Sequence, residues 1–467
     1  MSQQRQTIPG PDGTPVLGST RAFADDPLQF VTDVAREYGP VAHYDLGTED
    51  VVQISTPELV EHVLVQHNEA YEKGERFQTS LRPTLGSGLL TSEGEFWRAQ
   101  HHTIQPAFYP RMLERYADVM ADYTERTLSE WRDGELRNVH EDMMQLTVEI
   151  AAQALFGVDI REEEGAIADA LEVLMDDASA RMRRAVQVPR WLPTPGNRRF
   201  AEAQETLNDV VDTVIAEHRA AERGEAAERA SGEGRPASTT REPSREGDDL
   251  LSLLLNASDH TGMPLTDEQI RDEVVTILLA GHETTALALT YTLHALGRYD
   301  DARERLQREV DDVLGDRTPG HDDLDDLTVT ERTVKEGLRL YPPVWQQSRE
   351  ASEPDELGGY DIERGQTVLM HQWVLHRDPQ HYDDPTGFHP ERWTSDFEAD
   401  LPKFAYFPFG GGPRRCIGDR FAMQEARLAL ATIVRDWELY PQEALSFDPS
   451  ITLRPDGEVP MRVRRRD

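Results

Sequence analysis

A single cysteine stands in the 467 residues of this chain, Cys416. That scarcity excludes an internal disulfide, and with it any zinc or iron–sulfur site built from a cysteine cluster. Lysine is nearly as rare: Lys73, Lys335 and Lys403 are the only three, and every other basic residue is arginine. Positive charge as a whole is scarce, 49 basic against 87 acidic residues for a net −38. Such a surface repels polyanions, so nucleic acid and anionic membranes are excluded as partners. No run reaches the 18 or so uninterrupted apolar residues of a bilayer span, and the start, "MSQQRQTIPGPDGTPVLGS", lacks a basic-then-apolar signal pattern. A cytoplasmic protein without a membrane anchor is expected. At ~1 M salt the screening length shrinks to ~3 Å, which removes most of the self-repulsion. The charge therefore points to a salt-loaded cytoplasm, as in halophilic archaea.

What is present is mostly helical periodicity. Apolar residues recur at helical spacing over roughly 57–66, 111–133, 141–156, 167–186, 199–223, 249–257, 266–298, 301–314, 328–340 and 419–437. Strand-like runs are short: "VAHYDL", "VVQIST" and the two in "GGYDIERGQTVLM". Two stretches break the pattern, a proline-rich arm over 1–20 and a Ser/Gly/Pro/Glu/Arg-rich segment over 221–248. The second has too few large apolar residues to offset ordering entropy and reads as a flexible insertion in one domain spanning 1–467. The terminal "RVRRRD" reads as a solvated tail.

Three further features stand out. "FPFGGGPRRCIG" places Cys416 after three glycines and a proline, ahead of a helix opening at Asp419, with Arg414 and Arg415 beside it. A helix N-terminus and two guanidinium groups favour thiolate, which suits metal ligation; a nucleophile would need a base, and none is adjacent. The pattern from Thr266 has a capping-box start and runs about thirty residues, ~45 Å of helix. In its middle lies "AGHETT", Ala280 to Thr285, where a glycine and two threonines predict a local defect; the threonines could also bond back to carbonyls one turn earlier. The zinc-protease pattern His-Glu-x-x-His fails because Ala286 stands at the second histidine. "HRD" at 376–378 has no glycine-rich phosphate loop to make it a kinase element.

Phe409-x-x-Gly412-x-Arg414-x-Cys416-x-Gly418, continuing to Ala422 and Glu425, resembles the haem-binding loop of the cytochrome P-450 family. The other motifs follow in family order over nearly the whole chain. The resemblance implies a mostly α fold with a minor β region, with haem b between the long helix and the cysteine loop. It makes Cys416 the axial iron ligand, whose electron-rich sulfur favours O–O cleavage. Phe409 would sit beneath the haem and moderate the sulfur, and Arg414 would pair with a propionate. Ala280 and Gly281 would face the haem and leave room for dioxygen. Thr284 would hydrogen-bond the oxygen and an ordered water, with Glu283 relaying protons. Trp97 and His101 resemble the propionate-binding helix, although many relatives have arginine at the position of His101. Arg349 matches a further propionate-binding arginine. Glu336, Arg339 and Arg392 resemble a buried structural Glu–Arg–Arg network.

The implied activity is hydroxylation or epoxidation of an apolar small molecule by a monomeric enzyme, using O2 and two electrons. The chain carries no flavin or iron–sulfur module, so a separate ferredoxin or flavodoxin-like donor is implied. The alternatives are a haem-thiolate peroxygenase or isomerase, which needs no external electrons, and a haem-based gas sensor. Specificity is expected from 77–95 and 186–199.

Overall fold

The computed structural model describes residues 7–14, 17–47, 49–160, 164–183, 188–231, 249–257 and 265–466. Of the arm expected over 1–20, residues 1–6 and 15–16 lie outside the described residues. Of the insertion expected over 221–248, residues 232–248 also lie outside. Residues 221–231 continue the helix Pro195–Ser231, which is rich in alanine, glutamate and arginine, all good helix formers.

Helices build most of the molecule because their apolar residues return every three or four positions. Pro110–Ser129 buries Met112, Leu113, Tyr116, Ala117 and Met120 on one face, and Thr328–Leu340 buries Val334, Leu338 and Leu340. The long helix, Asp267–Leu296, differs in being buried almost all round. It starts at a capping box in which the Thr266 hydroxyl accepts from the Gln269 N–H (3.2 Å) and the Gln269 side chain accepts from the Thr266 N–H (2.9 Å). By length and composition it could cross a membrane, but 83% of its most apolar window is buried inside the protein, as in a core helix. Its main neighbours are Val139–Phe156, Thr328–Leu340 and Asp419–Asp436. The defect expected at 280–285 is not there: the helix runs unbroken. The Thr284 hydroxyl donates to the Ala280 carbonyl one turn back (2.9 Å).

The strands form a minor part. A five-stranded sheet orders Val41–Asp45, Asp50–Ile54, Thr367–Met370, Gln347–Ala351 and Tyr71–Glu72. Asp50–Ile54 runs parallel to Thr367–Met370 with Val51 opposite Thr367, and the other pairings are antiparallel. One apolar cluster on this sheet joins Val41, Val52, Ile54, Val368 and Met370 to Phe404 and Phe407. The sheet thereby anchors the chain just ahead of Cys416.

Three expectations change. The two runs in "GGYDIERGQTVLM" belong to different sheets: Tyr360–Ile362 pairs with Asp355–Leu357, and Thr367–Met370 joins the five-stranded sheet. "RVRRRD" is no solvated tail up to Arg465. Pro460–Arg465 is the middle strand between Leu136–Asn138 and Trp437–Pro441, with Met461 and Val463 fully buried, so alternation places Arg462 and Arg464 on the other face. The helix expected over 57–66 is α only through Glu61, and His62–Gln66 is a π turn.

Candidate functional site

The loop before the helix Asp419–Asp436 closes on itself through the Cys416 N–H, which donates to the Phe409 carbonyl (3.0 Å). Two of its glycines are indispensable. Gly410 and Gly412 hold φ of +70° and +67°, and a Cβ on Gly412 would lie 1.8 Å from the Leu64 carbonyl of the π turn. Upstream, His376 fixes the entry to the loop: its Nε2 accepts the Phe407 N–H (3.0 Å). Burial keeps this imidazole neutral, with a pKa well below the ordinary value. Sequence reasoning set the "HRD" triplet aside; only the fold brings His376 to the loop.

Cys416 is exposed at its surface but lies deep within the protein, so it opens onto an internal recess. That depth pushes the thiol up to about 11, against the smaller pull of a hydrogen bond from the Gly418 backbone N–H. The expectation that Arg414, Arg415 and the helix terminus make a thiolate is thus corrected. Arg415 contributes only a minor lowering, offset by Asp419, and Arg414 is turned elsewhere. A thiolate here would need a compensating cation beside it, as a metal centre would provide. Phe409 and Gly418 are both half-buried.

Arg414 instead lies over the Trp97 ring (3.9 Å), donates to the Ser92 carbonyl (3.0 Å) and pairs with Glu93. Trp97 packs against His101 at a 46° tilt, with ring centroids 5.2 Å apart. Burial, then the Arg414 charge, pulls His101 below its ordinary pKa. Arg349, whose Nη1 donates to the Ser348 carbonyl (2.8 Å), is lowered to about 10 by burial and then by Arg414. The fold therefore gathers Trp97, His101, Arg349 and Arg414 into one neighbourhood. It adds Lys73, which sequence reasoning missed. Lys73 donates through Nζ to the Leu90 carbonyl, and burial followed by repulsion from Arg349 and Arg414 lowers it to about 7. Its rarity as one of three lysines was the available signal. Three cations face two nearby carboxylates, Glu93 and Glu72, so the neighbourhood keeps a positive balance that suits an anionic ligand such as a pair of carboxylates.

On the long helix, the flanking turns are buried while Ala280 is exposed and Gly281 and Thr284 are half-exposed. Near Gly281 the closest atom to an added Cβ is the Ala151 methyl at 3.5 Å. This is an uncovered window in the middle of an otherwise buried stretch of helix. Glu283 faces the other way. Its carboxylate, 2% exposed, accepts from the Thr452 hydroxyl (3.0 Å) and pairs with Arg454, which in turn pairs with the exposed Asp176 (2.6 Å). Its other oxygen has no hydrogen-bond partner. Glu283 does not itself reach solvent; a guanidinium stands between, and sequence reasoning had no means of finding Thr452 or Arg454.

The Glu–Arg–Arg network forms with every member brought together. Glu336 and Arg339, both 0% exposed, pair through two bonds (2.9 and 2.8 Å), and Arg392 reaches Glu336 at 3.1 Å. Trp393 Nε1 and the His389 N–H also donate to Glu336, each at 2.9 Å. Arg339 donates to the carbonyls of His376, Pro385 and Gly387. The network thus braces the residue that holds the cysteine loop.

These residues fit a haem: a lone thiol on a glycine loop, a cationic neighbourhood for propionates, and an uncovered window on the long helix. A family model described as Cytochrome P450 matches residues 8–457. The chain is 35% identical over 461 residues to cyclooctatin synthase of Streptomyces melanosporofaciens, covering 98% of this chain and 95% of that one. It is 34% identical to cyclooctat-9-en-7-ol 5-monooxygenase of the same organism (92% and 89% covered) and 31% identical to pentalenene oxygenase of Streptomyces avermitilis (96% and 92%). The crystal structure of the cytochrome P450DA haem domain superposes with a TM-score of 0.86 at 30% identity, covering 100% of this chain and 99% of that one.

Proposed function

Because the chain belongs to the cytochrome P450 family and is an oxidoreductase of that type, we propose that it hydroxylates or epoxidises an apolar cyclic small molecule. One atom of O2 enters the substrate and the other leaves as water, with two protons and two electrons supplied from outside. The names of the relatives, which act on pentalenene and cyclooctat-9-en-7-ol, support a cyclic hydrocarbon skeleton. The observation that carries this reading is the surplus of half-buried cations, Lys73, Arg349 and Arg414, gathered beside the loop of the only cysteine.

Cys416 would hold the iron, with Phe409 under the macrocycle, and Arg414, Arg349, Lys73, Trp97 and His101 would hold the propionates. Haem b fits because no second cysteine remains for a thioether bond. Bound there, haem supplies dioxygen activation, favoured by an electron-rich thiolate ligand. Ala280 and Gly281 would leave space over the ring. Thr284 would present its hydroxyl to the oxygen, releasing its bond to Ala280. Glu283 would restore the proton once Arg454 shifts towards Asp176, because a guanidinium cannot itself pass a proton on. A ferredoxin or flavodoxin-like donor would deliver electrons to a monomeric, cytoplasmic enzyme suited to high salt.

The test is a reduced, carbon-monoxide-treated spectrum, followed by NADPH-driven oxidation of pentalenene-like hydrocarbons with a reconstituted ferredoxin system. A thiolate-haem band abolished by Cys416→Ala, with product formed only with the electron donor, is expected. Product with hydrogen peroxide and none with any reductase would instead establish the peroxygenase alternative.

A further inference from the structure

Outside the haem neighbourhood, two histidines and an aspartate converge: His62, His67 and Asp355, whose ligand atoms all lie within 4.8 Å of one another. His62 Nε2 lies 2.8 Å from Asp355 Oδ2, and His67 Nδ1 lies 3.2 Å from Asp355 Oδ1. The Tyr71 hydroxyl donates to Oδ2 (2.8 Å). The π turn makes this meeting possible. Residues five apart on an α-helix sit roughly 140° apart around the axis. The π turn closes instead through the His67 N–H to the His62 carbonyl (2.8 Å), bringing the two imidazoles together at a 41° tilt with centroids 4.0 Å apart. π turns occur disproportionately at functional positions. We propose that His62, His67 and Asp355 form a binding site for a divalent transition metal of the zinc class, distinct from the haem site.

The chemistry of the donors selects this class. Two imidazoles and one carboxylate suit zinc, nickel or cobalt, whereas calcium and magnesium require oxygen ligands. Ligand atoms held ~2.0–2.2 Å from a tetrahedral zinc stand about 3.3 Å apart, so a set whose members already lie within 4.8 Å of one another needs only a small contraction, and solvent completes the fourth position. The site is reachable, since the His67 side chain is 50% exposed, while the Asp355 carboxylate is 9% exposed and oriented by Tyr71 as an outer-shell partner. Metal there ties the hairpin carrying Asp355 to the π turn, and the Leu64 carbonyl of that turn sits against Gly412 of the cysteine loop. Its consequence is a stapled support for the loop.

The experiment is equilibrium dialysis of the untagged full-length chain against zinc chloride after chelator treatment. Zinc is counted per polypeptide by elemental analysis, and melting midpoints are recorded with and without zinc. Expected are about one zinc per chain, a raised midpoint, at least tenfold weaker binding in His67→Ala, and roughly tenfold weaker binding in Tyr71→Phe. Because His67 is half-exposed, its replacement leaves the fold intact, which an unchanged midpoint without zinc verifies. Asp355→Asn provides a second loss by removing the charged ligand. Absence of stoichiometric zinc, or retention of zinc by His67→Ala and Asp355→Asn at wild-type affinity, overturns the proposal.

Discussion

Replacing Glu336 with glutamine leaves the shape of the Glu–Arg–Arg network and removes its charge. The carboxylate accepts five hydrogen bonds, from Arg339 Nε and Nη2, Arg392 Nε, the His389 N–H and Trp393 Nε1. Glutamine offers one acceptor oxygen and turns an amide donor toward groups that are themselves donors. Arg339, 0% exposed, keeps its three carbonyl acceptors but loses its counter-charge. Breaking a buried pair in this way costs about 3–5 kcal/mol, against a total stability on the order of 5–15 kcal/mol. The damage extends to the cysteine loop, because the His376 carbonyl bound by Arg339 belongs to the residue whose ring holds Phe407. Urea melts in high salt and the haem content of the purified variant measure both effects. The expected result is a markedly lower midpoint with reduced haem, and a smaller loss for Arg392→Ala. A Glu336→Gln chain with wild-type midpoint and full haem content would refute the reasoning.

Acid should destabilise the fold early. Burial pulls His140 to about 4 and His282 and His371 to about 3, from an ordinary 6.5. As pH falls below about 6.5 the unfolded chain binds protons that the folded chain refuses, so stability drops, by up to ~1.4 kcal/mol per pH unit for each histidine; urea midpoints equal at pH 7.5 and pH 5 would contradict this. Glu283→Gln removes the carboxylate that would return the proton to Thr284. A larger share of electrons should then end in hydrogen peroxide with the haem spectrum unchanged, and an unaltered ratio of product to peroxide would count against the relay. With a net charge of −38, thermal midpoints should rise steeply from millimolar to molar potassium chloride; a flat series would remove the high-salt reading.

Local rules determined much of this protein from its sequence. Capping chemistry at Thr266 and Gln269, helical periodicity in 328–340 and the φ demands of Gly410 and Gly412 act over a few residues, so the chain spells them out. The family motif around Cys416 was legible for the same reason, its positions being crowded into ten residues. Tertiary structure alone decided what depends on distant segments meeting. The thiol's high pKa is a property of depth in the protein, not of the neighbouring arginines. Lys73 joined Arg349 and Arg414 across nearly 280 and more than 340 positions of chain, and Arg454 closed on Glu283 from 171 residues away. The π turn that brings His62 onto His67 shifts the backbone by one residue per turn, a change that helical periodicity cannot encode. Charge, desolvation and close contact act through space, and only the folded chain defines that space.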